Sequence, residues 1–379
     1  MLNEVIDFLQ ALIRAKSLSG EEKEAAELIR SKMLTLGFED VLIDDFGSVL
    51  GRIGQSNPKV LFEGHMDTVD EGNPESWTVE PYAGIRKQGK VYGRGATDMK
   101  GALASMIYSG YEAKEFIENS KGSLYMAFVP HEETAEGAAI KHVIEEWVHP
   151  EYVILGEPSD LDLCIGHRGR AVMEITTVGQ MAHASMSHLG KNAVYELFDV
   201  INNIRKMKLK EDEFLGKESK ALIHVSCEPR KGPVIPDRAK AMFDFRIVPA
   251  TSERMLLQKI RKQMDLANVE GGVETVTKTL RCYTEKNLPV KYYFPAWITQ
   301  DKAFIESMRT ALHFIDSLEV RRWLFSTDGV YTAGEAQIPT IGFGPGMDEL
   351  AHQPNEFVTI KDVKTAIHGY KSILQKLLR

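Results

Sequence analysis

Two adjacent glutamates, Glu132 and Glu133, follow the apolar run SLYMAFVP at residues 123 to 130. Two like charges where a buried strand ends cost stability, because each carboxylate repels the other and resists leaving water. A metal ion, a basic partner or solvent could compensate for them. Taken alone, the pair is also compatible with an ordinary solvated strand end.

Polar residues follow other apolar runs in the same way. His65 and Asp67 come after KVLFEG, and Glu157 ends EYVILGE. Because the carboxyl ends of strands form the ligand crevice of open α/β sheets, we expect these side chains to converge. Asp98, in GRGATDMKG, lies where a helix begins and could simply cap it, and His352 follows the last apolar strand.

Histidines and carboxylates without cysteine favour zinc, cobalt or manganese. If one aspartate bridges, this set divides into two sites with one histidine and one glutamate each. Two dications would neutralise four clustered carboxylates, which would otherwise oppose folding through their mutual repulsion. One glutamate of the pair could then bind metal while the other takes a proton from metal-bound water.

The elements around these residues indicate an α/β fold. Apolar strands at 59–64, 124–130, 151–157 and 338–344 alternate with helical patterns, which predicts a sheet that is covered by helices and at least partly parallel. SGEE at residues 19–22 resembles a capping box that opens a helix through Leu36. A further helix is predicted from about Asp98 to Phe116.

The pattern changes between residues 170 and 288. MFDFRIVP alternates, with Phe243 and Phe245 on one face and Asp244 and Arg246 on the other, as in a half-exposed sheet. The sequence therefore predicts an α+β domain at 170–288, inserted between two parts of the α/β domain at 1–169 and 289–379.

The composition of the chain argues against several classes of partner. The chain has 379 residues, of which 43% are hydrophobic, and a net charge of -8, which argues against nucleic acid as a partner. No run is long and apolar enough for a membrane span or a signal peptide, so no membrane partner is expected. Three scattered cysteines fit a reducing cytoplasm.

Eight motifs together resemble the M20 metallopeptidase family of di-zinc amidohydrolases over essentially the whole chain. That family includes acetylornithine deacetylase, succinyl-diaminopimelate desuccinylase, aminoacylases and carboxypeptidase G2. The motifs are GHMDTV, GRGATDMKGA, HEET, LGEPS, GHRGR, AHAS, VIPDRAKAMFDFR and AHQPNE. FPAW, FSTDG and IPTIGFGPG near the C-terminus resemble a deacetylase-like sub-branch.

The resemblance implies a zinc-exopeptidase-like mixed sheet with an inserted lid and dimerisation domain. It also implies that His65 and Glu157 hold one zinc, that Glu133 and His352 hold the other, and that Asp98 bridges the two metals. Asp67 would orient His65 through its carboxylate, and Glu132 would be the general base. A cis peptide after the bridging aspartate, between Asp98 and Met99, is also implied.

The resemblance assigns further residues to the lid and the substrate pocket. His183 would stabilise the oxyanion in the partner subunit's active site, which implies a homodimer through the lid domain, although a structural histidine is the alternative. Arg246 would bind the substrate's carboxylate, unless it belongs to a surface ion pair. Ser326 and Thr327, with the rest of STDG, would shape the pocket near that carboxylate.

Three residues depart from the family pattern. His131 precedes the glutamate pair and suggests an H-E-x-x-H motif, but Ala135 stands where the second histidine would be. Pro233 replaces an asparagine that helps to position substrate, and Met186 replaces a tyrosine that is frequent in desuccinylases. These departures weaken an assignment to the desuccinylase itself.

The sequence predicts a metal-dependent amidohydrolase that cleaves the amide bond of an N-acyl amino acid with water activated at two divalent metals, zinc above cobalt or manganese. A dipeptidase or carboxypeptidase with the same mechanism is the nearest alternative. A non-catalytic metal-binding or peptide-binding protein is another. A nucleotide-dependent oxidoreductase is disfavoured, because GRGATD and GFGPG lack a full dinucleotide-binding arrangement.

Overall fold

The computed structural model describes residues 1–379. Its eight helices are α1 Leu2–Arg14, α2 Lys23–Thr35, α3 Gly101–Glu118, α4 Ala138–Glu146, α5 Ala193–Lys206, α6 Glu253–Leu266, α7 Lys302–Ala311 and α8 Ile360–Leu377. Its strands are β1 Glu39–Ile43, β2 Val49–Ile53, β3 Lys59–His65, β4 Ile85–Lys87, β5 Lys90–Tyr92, β6 Ser123–Val129, β7 Tyr152–Leu155, β8 Leu163–Cys164, β9 Gly166–His167, β10 Gly169–Val178, β11 Glu211–Asp212, β12 Gly216–Lys217, β13 Ser219–Glu228, β14 Arg238–Ile247, β15 Gly271–Thr275, β16 Thr277–Arg281, β17 Asn287–Lys291, β18 Tyr293–Phe294, β19 Trp297–Ile298, β20 Val320–Arg321, β21 Thr340–Gly342 and β22 Phe357–Thr359.

One compact unit comprises residues 1–167, 279–289 and 298–379. Its main sheet has the strand order β1-β2-β6-β3-β7-β21-β8-β20. The central strand β3 pairs in parallel with β6 and β7, and β7 pairs in parallel with β21, whereas β1 and β2 are antiparallel. Strands β3 and β6 are buried along nearly their whole length, as their continuous apolar sequences require. The predicted mixed α/β fold is confirmed.

Helices pack on this sheet and on one another. Helix α3 contacts β3, β6 and α8. The ring of Tyr370 on α8 meets Phe62 on β3, with centroids 5.3 Å apart. A close approach is possible at Gly156, where an added Cβ would lie 2.6 Å from the terminal carbons of Met99 and Met106. This packing holds the segment before α3 close to the ends of the parallel strands.

The other compact unit comprises residues 168–278 and 290–297. Its antiparallel sheet has the order β13-β14-β10-β15, and β18 also pairs with β10. Phe243 and Phe245 of β14 are buried against α5 and α6, while the alternate side chains of the strand are half-exposed. The role of this unit as a lid and dimerisation domain stays a prediction.

Two helices begin later than expected, each for a local reason. Helix α2 is present, but its N-cap residue is Glu22 rather than Ser19, and the Ser19 hydroxyl donates to Asp67 Oδ2 at 2.6 Å. Helix α3 begins at Gly101 rather than near Asp98, because Asp98 and Met99 have non-helical backbone angles and a cis peptide joins them. The cis peptide that the family resemblance implies is therefore confirmed.

The hydropathy of the helices and the state of the cysteines can be compared with the expectations drawn from composition. None of the helices combines the length and the hydropathy that a transmembrane span requires. The three cysteines, Cys164, Cys227 and Cys282, are free thiols.

Candidate active site

The ends of three neighbouring parallel strands gather the predicted site residues. Strand β3 ends at His65, and Glu132 and Glu157 follow β6 and β7 within three residues. Parallel neighbours end at the same edge of a sheet, so these three side chains converge. All three are buried, with exposed fractions of 1%, 6% and 4%.

His65, Asp98 and Glu157 form the first ligand group, in which all three side chains are buried. His65 Nε2 lies 2.9 Å from Asp98 Oδ1 and 3.8 Å from Glu157 Oε1. Burial opposes a charge on His65, but the two carboxylates outweigh it, Glu157 first, and raise the pKa of His65 well above its usual value. The imidazole therefore lies in a strongly negative environment.

Asp98, Glu133 and His352 form the second ligand group. His352 Nε2 lies 2.9 Å from Glu133 Oε2 and 3.2 Å from Asp98 Oδ2. Hydrogen bonds with Asp98 and then Glu133 raise the pKa of His352 to about 10. The His352 side chain is 49% exposed, so this group is open to solvent on one side.

Asp98 belongs to both groups and offers one carboxylate oxygen to each histidine. Burial opposes its charge, but hydrogen bonds from His352 and His65 outweigh that cost and hold its pKa below its usual value. The turn before it depends on Gly95, whose φ of 84° is left-handed and whose added Cβ would lie 2.7 Å from Thr68 Cγ2. Asp98 thus has the position of a bridging ligand.

The donor set fits a pair of divalent cations. Ligand atoms about 2.1 Å from a tetrahedral zinc ion stand roughly 3.4 Å apart. The separations from each imidazole nitrogen to the carboxylate oxygens of its group, 2.9 to 3.8 Å, bracket that spacing. Imidazole and carboxylate ligands suit zinc, cobalt and manganese.

Glu132 is buried beside the first group, and its Oε1 has no hydrogen-bond partner. Burial, and then the charge of Glu157, raise the pKa of Glu132 well above its usual value. An orphaned carboxylate oxygen in such a place indicates that a cation or a polar ligand completes the environment. Glu132 therefore has the position and the perturbed acidity of a proton-transfer group.

Asp67 contacts the site differently from the arrangement implied by the resemblance. Its carboxylate Oδ1 lies 3.7 Å from His65 Nδ1, too far for a hydrogen bond, whereas its backbone oxygen lies 2.9 Å from that nitrogen. The carboxylate instead accepts from the amides of Glu132 and Glu133 at 3.1 and 3.2 Å. Asp67 thus orients His65 through its main chain and ties down the glutamate pair through its side chain.

A buried acid that the sequence did not single out, Glu63, lies next to the first group. Glu63 precedes His65 by two residues, and it and Asp328 of the STDG segment, its main charged neighbour, are each 2% exposed. Burial, and then Asp328, raise the pKa of Glu63 well above its usual value, and burial raises that of Asp328 to about 6. Glu63 Oε1 and Asp328 Oδ2 have no hydrogen-bond partner. The signal was present in LFEGH, a single acid in an otherwise apolar strand.

Ser326 and Thr327 lie in the same buried network. Ser326 donates to Glu136 Oε1 at 2.5 Å. Thr327 is fully buried, and its backbone amide donates to His167 Nε2 at 3.0 Å, while its hydroxyl lies 3.0 Å from the same nitrogen. These contacts favour a role for Thr327 in holding the STDG segment rather than in touching a substrate. His167 supports that segment through these contacts.

His183 and Arg246 lie in the other compact unit. His183 is exposed, and its Nδ1 accepts from the Ser185 amide at 3.2 Å. Arg246 is not left unpaired on the polar face of β14 as the sequence suggested, because its Nε lies 3.0 Å from Asp244 Oδ1. The ion-pair alternative for Arg246 therefore describes its local contacts.

The departures from the family pattern have local explanations. His131 is buried with a φ of 64°, and its ring contacts Thr134 Oγ1 and Arg281 O, both at 3.2 Å, so it joins neither ligand group. Pro233 lies beside the His183 segment, where its carbonyl accepts from the Ala184 amide at 2.8 Å. Met186, in the same segment, is 46% exposed.

Comparison with known proteins assigns the family. The model of peptidase family M20/M25/M40 matches residues 61–376. The chain is 30% identical to the protein YgeY of Escherichia coli strain K12 over 372 residues, which are 97% of this chain and 92% of the relative. It is 25% identical to a succinyl-diaminopimelate desuccinylase of Orientia tsutsugamushi strain Boryong, over 98% of this chain and 95% of that protein.

A solved structure shows the same fold. Aminopeptidase PepT from Bacillus cereus ATCC 10987 superposes with a TM-score of 0.76 at 18% identity, covering 100% of this chain and 99% of that one. The motif-based resemblance is confirmed by the family match. The chain belongs to peptidase family M20/M25/M40, and it is a metallohydrolase that acts on amide bonds.

Proposed function

We propose that this protein hydrolyses the amide bond of an N-acyl amino acid at a site for two divalent metal ions. The observation that carries the proposal is the paired ligand arrangement, in which Asp98 serves two histidine and glutamate sets beside the orphaned carboxylate of Glu132. The 25% identity to a desuccinylase favours an acyl amino acid over a peptide as the substrate.

The ligands divide as the family resemblance implies. His65 and Glu157 would hold one ion, Glu133 and His352 the other, and Asp98 both. Zinc is our first choice, and cobalt or manganese suit the same donors. When bound, such ions polarise the acyl carbonyl and acidify a water molecule.

Glu132 would carry the proton between the water and the leaving amine. Its carboxylate is buried against the first ligand group, and Asp67 fixes its backbone amide. A carboxyl group that burial has made more basic takes a proton near neutral pH and returns it as a general acid. The same group can therefore serve both halves of the reaction.

Residues of the smaller unit would complete the substrate site. We assign oxyanion stabilisation to His183, whose exposed ring could serve a partner subunit's active site, and binding of the substrate carboxylate to Arg246. To bind substrate, Arg246 would have to release its contact with Asp244. Its guanidinium would then bind the substrate carboxylate through two parallel hydrogen bonds. Ser326 would line the pocket.

A homodimer through the smaller unit accompanies this assignment. Strand β13 is the edge of its sheet and exposes Leu222, Ile223 and Val225 at 44%, 53% and 42%. Helix α5 of the same unit exposes Tyr195 and Phe198 at 68% and 49%. An apolar edge strand is prone to pair with another chain, and a second copy can cover such a surface by twofold symmetry. We also propose a cytoplasmic location, as the scattered cysteines suggest.

The test is a substrate panel. The purified protein is stripped with a chelator, reloaded with zinc, cobalt or manganese, and assayed against N-acetyl, N-succinyl and N-carbamoyl amino acids and against dipeptides. We expect metal-restored release of amino acid from at least one acyl substrate. Glu132→Gln, which keeps the size of the side chain, is the control for contaminating hydrolases.

The panel also separates the alternatives. Cleavage of dipeptides alone would replace the proposal with a peptidase, to which the structural similarity to an aminopeptidase lends support. Two bound metals with no turnover of any acyl substrate or dipeptide would favour the non-catalytic alternative. A protein that binds no metal after reloading would overturn the proposed mechanism.

A further inference from the structure

A buried ion pair connects two segments of the proposed metal site. Glu356 is fully buried, and its Oε1 accepts from the backbone amides of Thr97 and Asp98 at 2.8 and 3.1 Å. Its Oε2 accepts from Arg94 Nη1 at 2.7 Å, and Arg94 is 2% exposed. One carboxylate thus holds the main chain of the bridging aspartate and a buried guanidinium at once.

The guanidinium continues the connection to the loop of His352. Arg94 Nη2 donates to the carbonyl of His352 and Nη1 to that of Gln353, both at 3.3 Å. The two segments are also joined by Thr97 Oγ1, which donates to the Phe357 carbonyl at 2.6 Å. The turn that carries Asp98 and the loop that carries His352 are therefore docked through one polar network.

Apart from this network, the His352 loop is held through Asn355, which accepts from the amide and hydroxyl of Thr78 at 2.6 and 2.7 Å and donates to the Ser76 carbonyl at 3.2 Å. His352 has a left-handed φ of 63°, lies outside any strand or long helix, and has a side chain that is 49% exposed. His65, in contrast, ends a central strand, and its ring is oriented by the Asp67 carbonyl. A loop ligand needs an external constraint, which a strand ligand receives from its sheet.

Burying two charges is costly, and a buried pair often stabilises a fold no better than apolar residues would. Such a pair is better explained when its hydrogen bonds fix a geometry that function requires. Here the hydrogen bonds of the Glu356 and Arg94 side chains end on the backbone at or next to a proposed metal ligand or on the partner charge, while the guanidinium also lies over the Trp77 ring, 5.2 Å from its centroid.

We infer that Arg94 and Glu356 are positioning residues that fix Asp98 and His352 relative to each other. They thereby set the metal affinity of the second ligand group, Asp98, Glu133 and His352. The inference rests on the proposed metal site, and neither side chain is assigned a contact with metal or substrate.

The experiment measures metal binding rather than activity. Zinc is titrated into the metal-free protein in competition with a chromophoric chelator, and the cobalt-loaded protein is examined by absorption spectroscopy, which reports coordination geometry. The variants are Glu356→Gln, which removes the charge, and Arg94→Lys, which keeps a charge but loses the planar fork. The matched control is Glu218→Gln, a buried glutamate that accepts from the backbone amide of Lys210 at 2.9 Å in the other unit.

We expect the unaltered protein and Glu218→Gln to bind two zinc equivalents with the same affinities. In Glu356→Gln one equivalent should bind roughly tenfold to hundredfold more weakly, as is typical when an outer partner of a ligand is lost. Arg94→Lys should weaken the same equivalent, and in both variants the cobalt spectrum should change for one ion. In a protein that already carries His352→Ala, Glu356→Gln should change the affinity for the remaining zinc ion less than it changes the weakened equivalent of the unaltered protein.

Other outcomes separate the two proposals. If Glu356→Gln and Arg94→Lys bind both equivalents as the unaltered protein does, the inference is overturned while the metal site stands. If both zinc equivalents bind more weakly by the same factor, Arg94 and Glu356 do not act on the second ligand group in particular. If the unaltered protein binds no zinc, both proposals fall. If Glu356→Gln does not fold, Arg94→Lys alone decides the question through the same titration.

Discussion

The two ligand groups share Asp98 but differ in how the fold supports them. His65 is 1% exposed and ends a central strand, and Glu157 follows the neighbouring parallel strand. His352 is on a loop and its side chain is 49% exposed. One half of the site is therefore closed and held by the sheet, while the other is open to solvent and held by the loop contacts described above.

This difference has electrostatic consequences. In the closed half, burial raises the pKa of Glu132 and of Glu157 well above their usual values, because little solvent stabilises a carboxylate there. Burial also raises the pKa of Glu133 in the open half, so the halves differ mainly at their histidines. In the open half, solvent reaches His352 directly. The closed half is thus suited to proton transfer, and the open half to exchange of ligands with solvent. A small substrate would approach from the open side.

The largest effect is expected from Glu132→Gln, which tests whether proton transfer belongs to the closed half. We expect turnover to fall by about a hundredfold to ten-thousandfold, as is typical for loss of a general base or acid. Both metals should remain, because Glu132 belongs to neither ligand group. Steady-state kinetics with metal analysis checks this, and turnover close to that of the unaltered protein would remove Glu132 from the mechanism.

Removing one histidine at a time tests the two halves directly. His65→Ala should lose affinity for at least one metal and destabilise the metal-free protein by about 3 to 5 kcal/mol, because it leaves buried carboxylates without their partner. His352→Ala should also lose affinity for one metal, yet it should cost less stability, since the His352 ring is 49% exposed and water can replace it beside Glu133 and Asp98. Denaturant unfolding of both metal-free variants measures the difference, and equal losses would contradict the contrast between the halves.

Part of the closed half could be predicted from the sequence. The ends of β3, β6 and β7 were predictable, because continuous apolar runs indicate parallel strands and parallel strands end at one edge. The polar residues that follow such runs could therefore be placed together from their sequence positions alone. Asp98 and His352 could be named as candidates from their positions, and the family motifs then assigned each ligand to its metal, which periodicity alone could not do.

Contacts between distant segments could not be predicted in this way. The local spacing of Ser19 predicts a helix cap, but the helix begins later, after Glu22, and the Ser19 hydroxyl donates to Asp67, 48 residues away. The carboxylate of Asp67 accepts from the amides of Glu132 and Glu133 instead of contacting His65, which depends on how two loops meet. Glu63 was missed because a lone acid in a strand gives no hint of its partner.

A smaller effect should appear when metal is removed from the unaltered protein. We expect a chelator to take one equivalent faster than the other, because water and chelator reach the open half first. In His352→Ala the fast phase should disappear. Stopped-flow mixing of the zinc-loaded protein with a chromophoric chelator measures both rates, and a single phase for two equivalents would mean that the halves exchange metal alike.

The last prediction concerns a carboxyl group behind the closed half, which changes stability with pH rather than activity. Glu22 is fully buried, its Oε1 accepts from the Gly20 amide at 2.8 Å, and its Oε2 has no hydrogen-bond partner. Burial, and then the charge of Asp67, raise its pKa to about 8. Folding therefore keeps Glu22 protonated at pH values at which the unfolded chain ionises it.

The sign of the pH dependence follows from that shift. Because the folded pKa lies above the unfolded value, the contribution of Glu22 to stability is complete below about pH 4 and is lost progressively toward about pH 8, at no more than roughly 1.4 kcal/mol per pH unit. Glu22→Gln is neutral at every pH, so its stability should rise relative to that of the unaltered protein between pH 5 and 8. Urea unfolding of the metal-free proteins measures this, with Glu349→Gln as the control for loss of an exposed carboxylate. If the free energies of unfolding of Glu22→Gln and the unaltered protein change with pH in parallel, Glu22 is ionised in the folded protein. Water would then reach the region behind the closed half despite its burial.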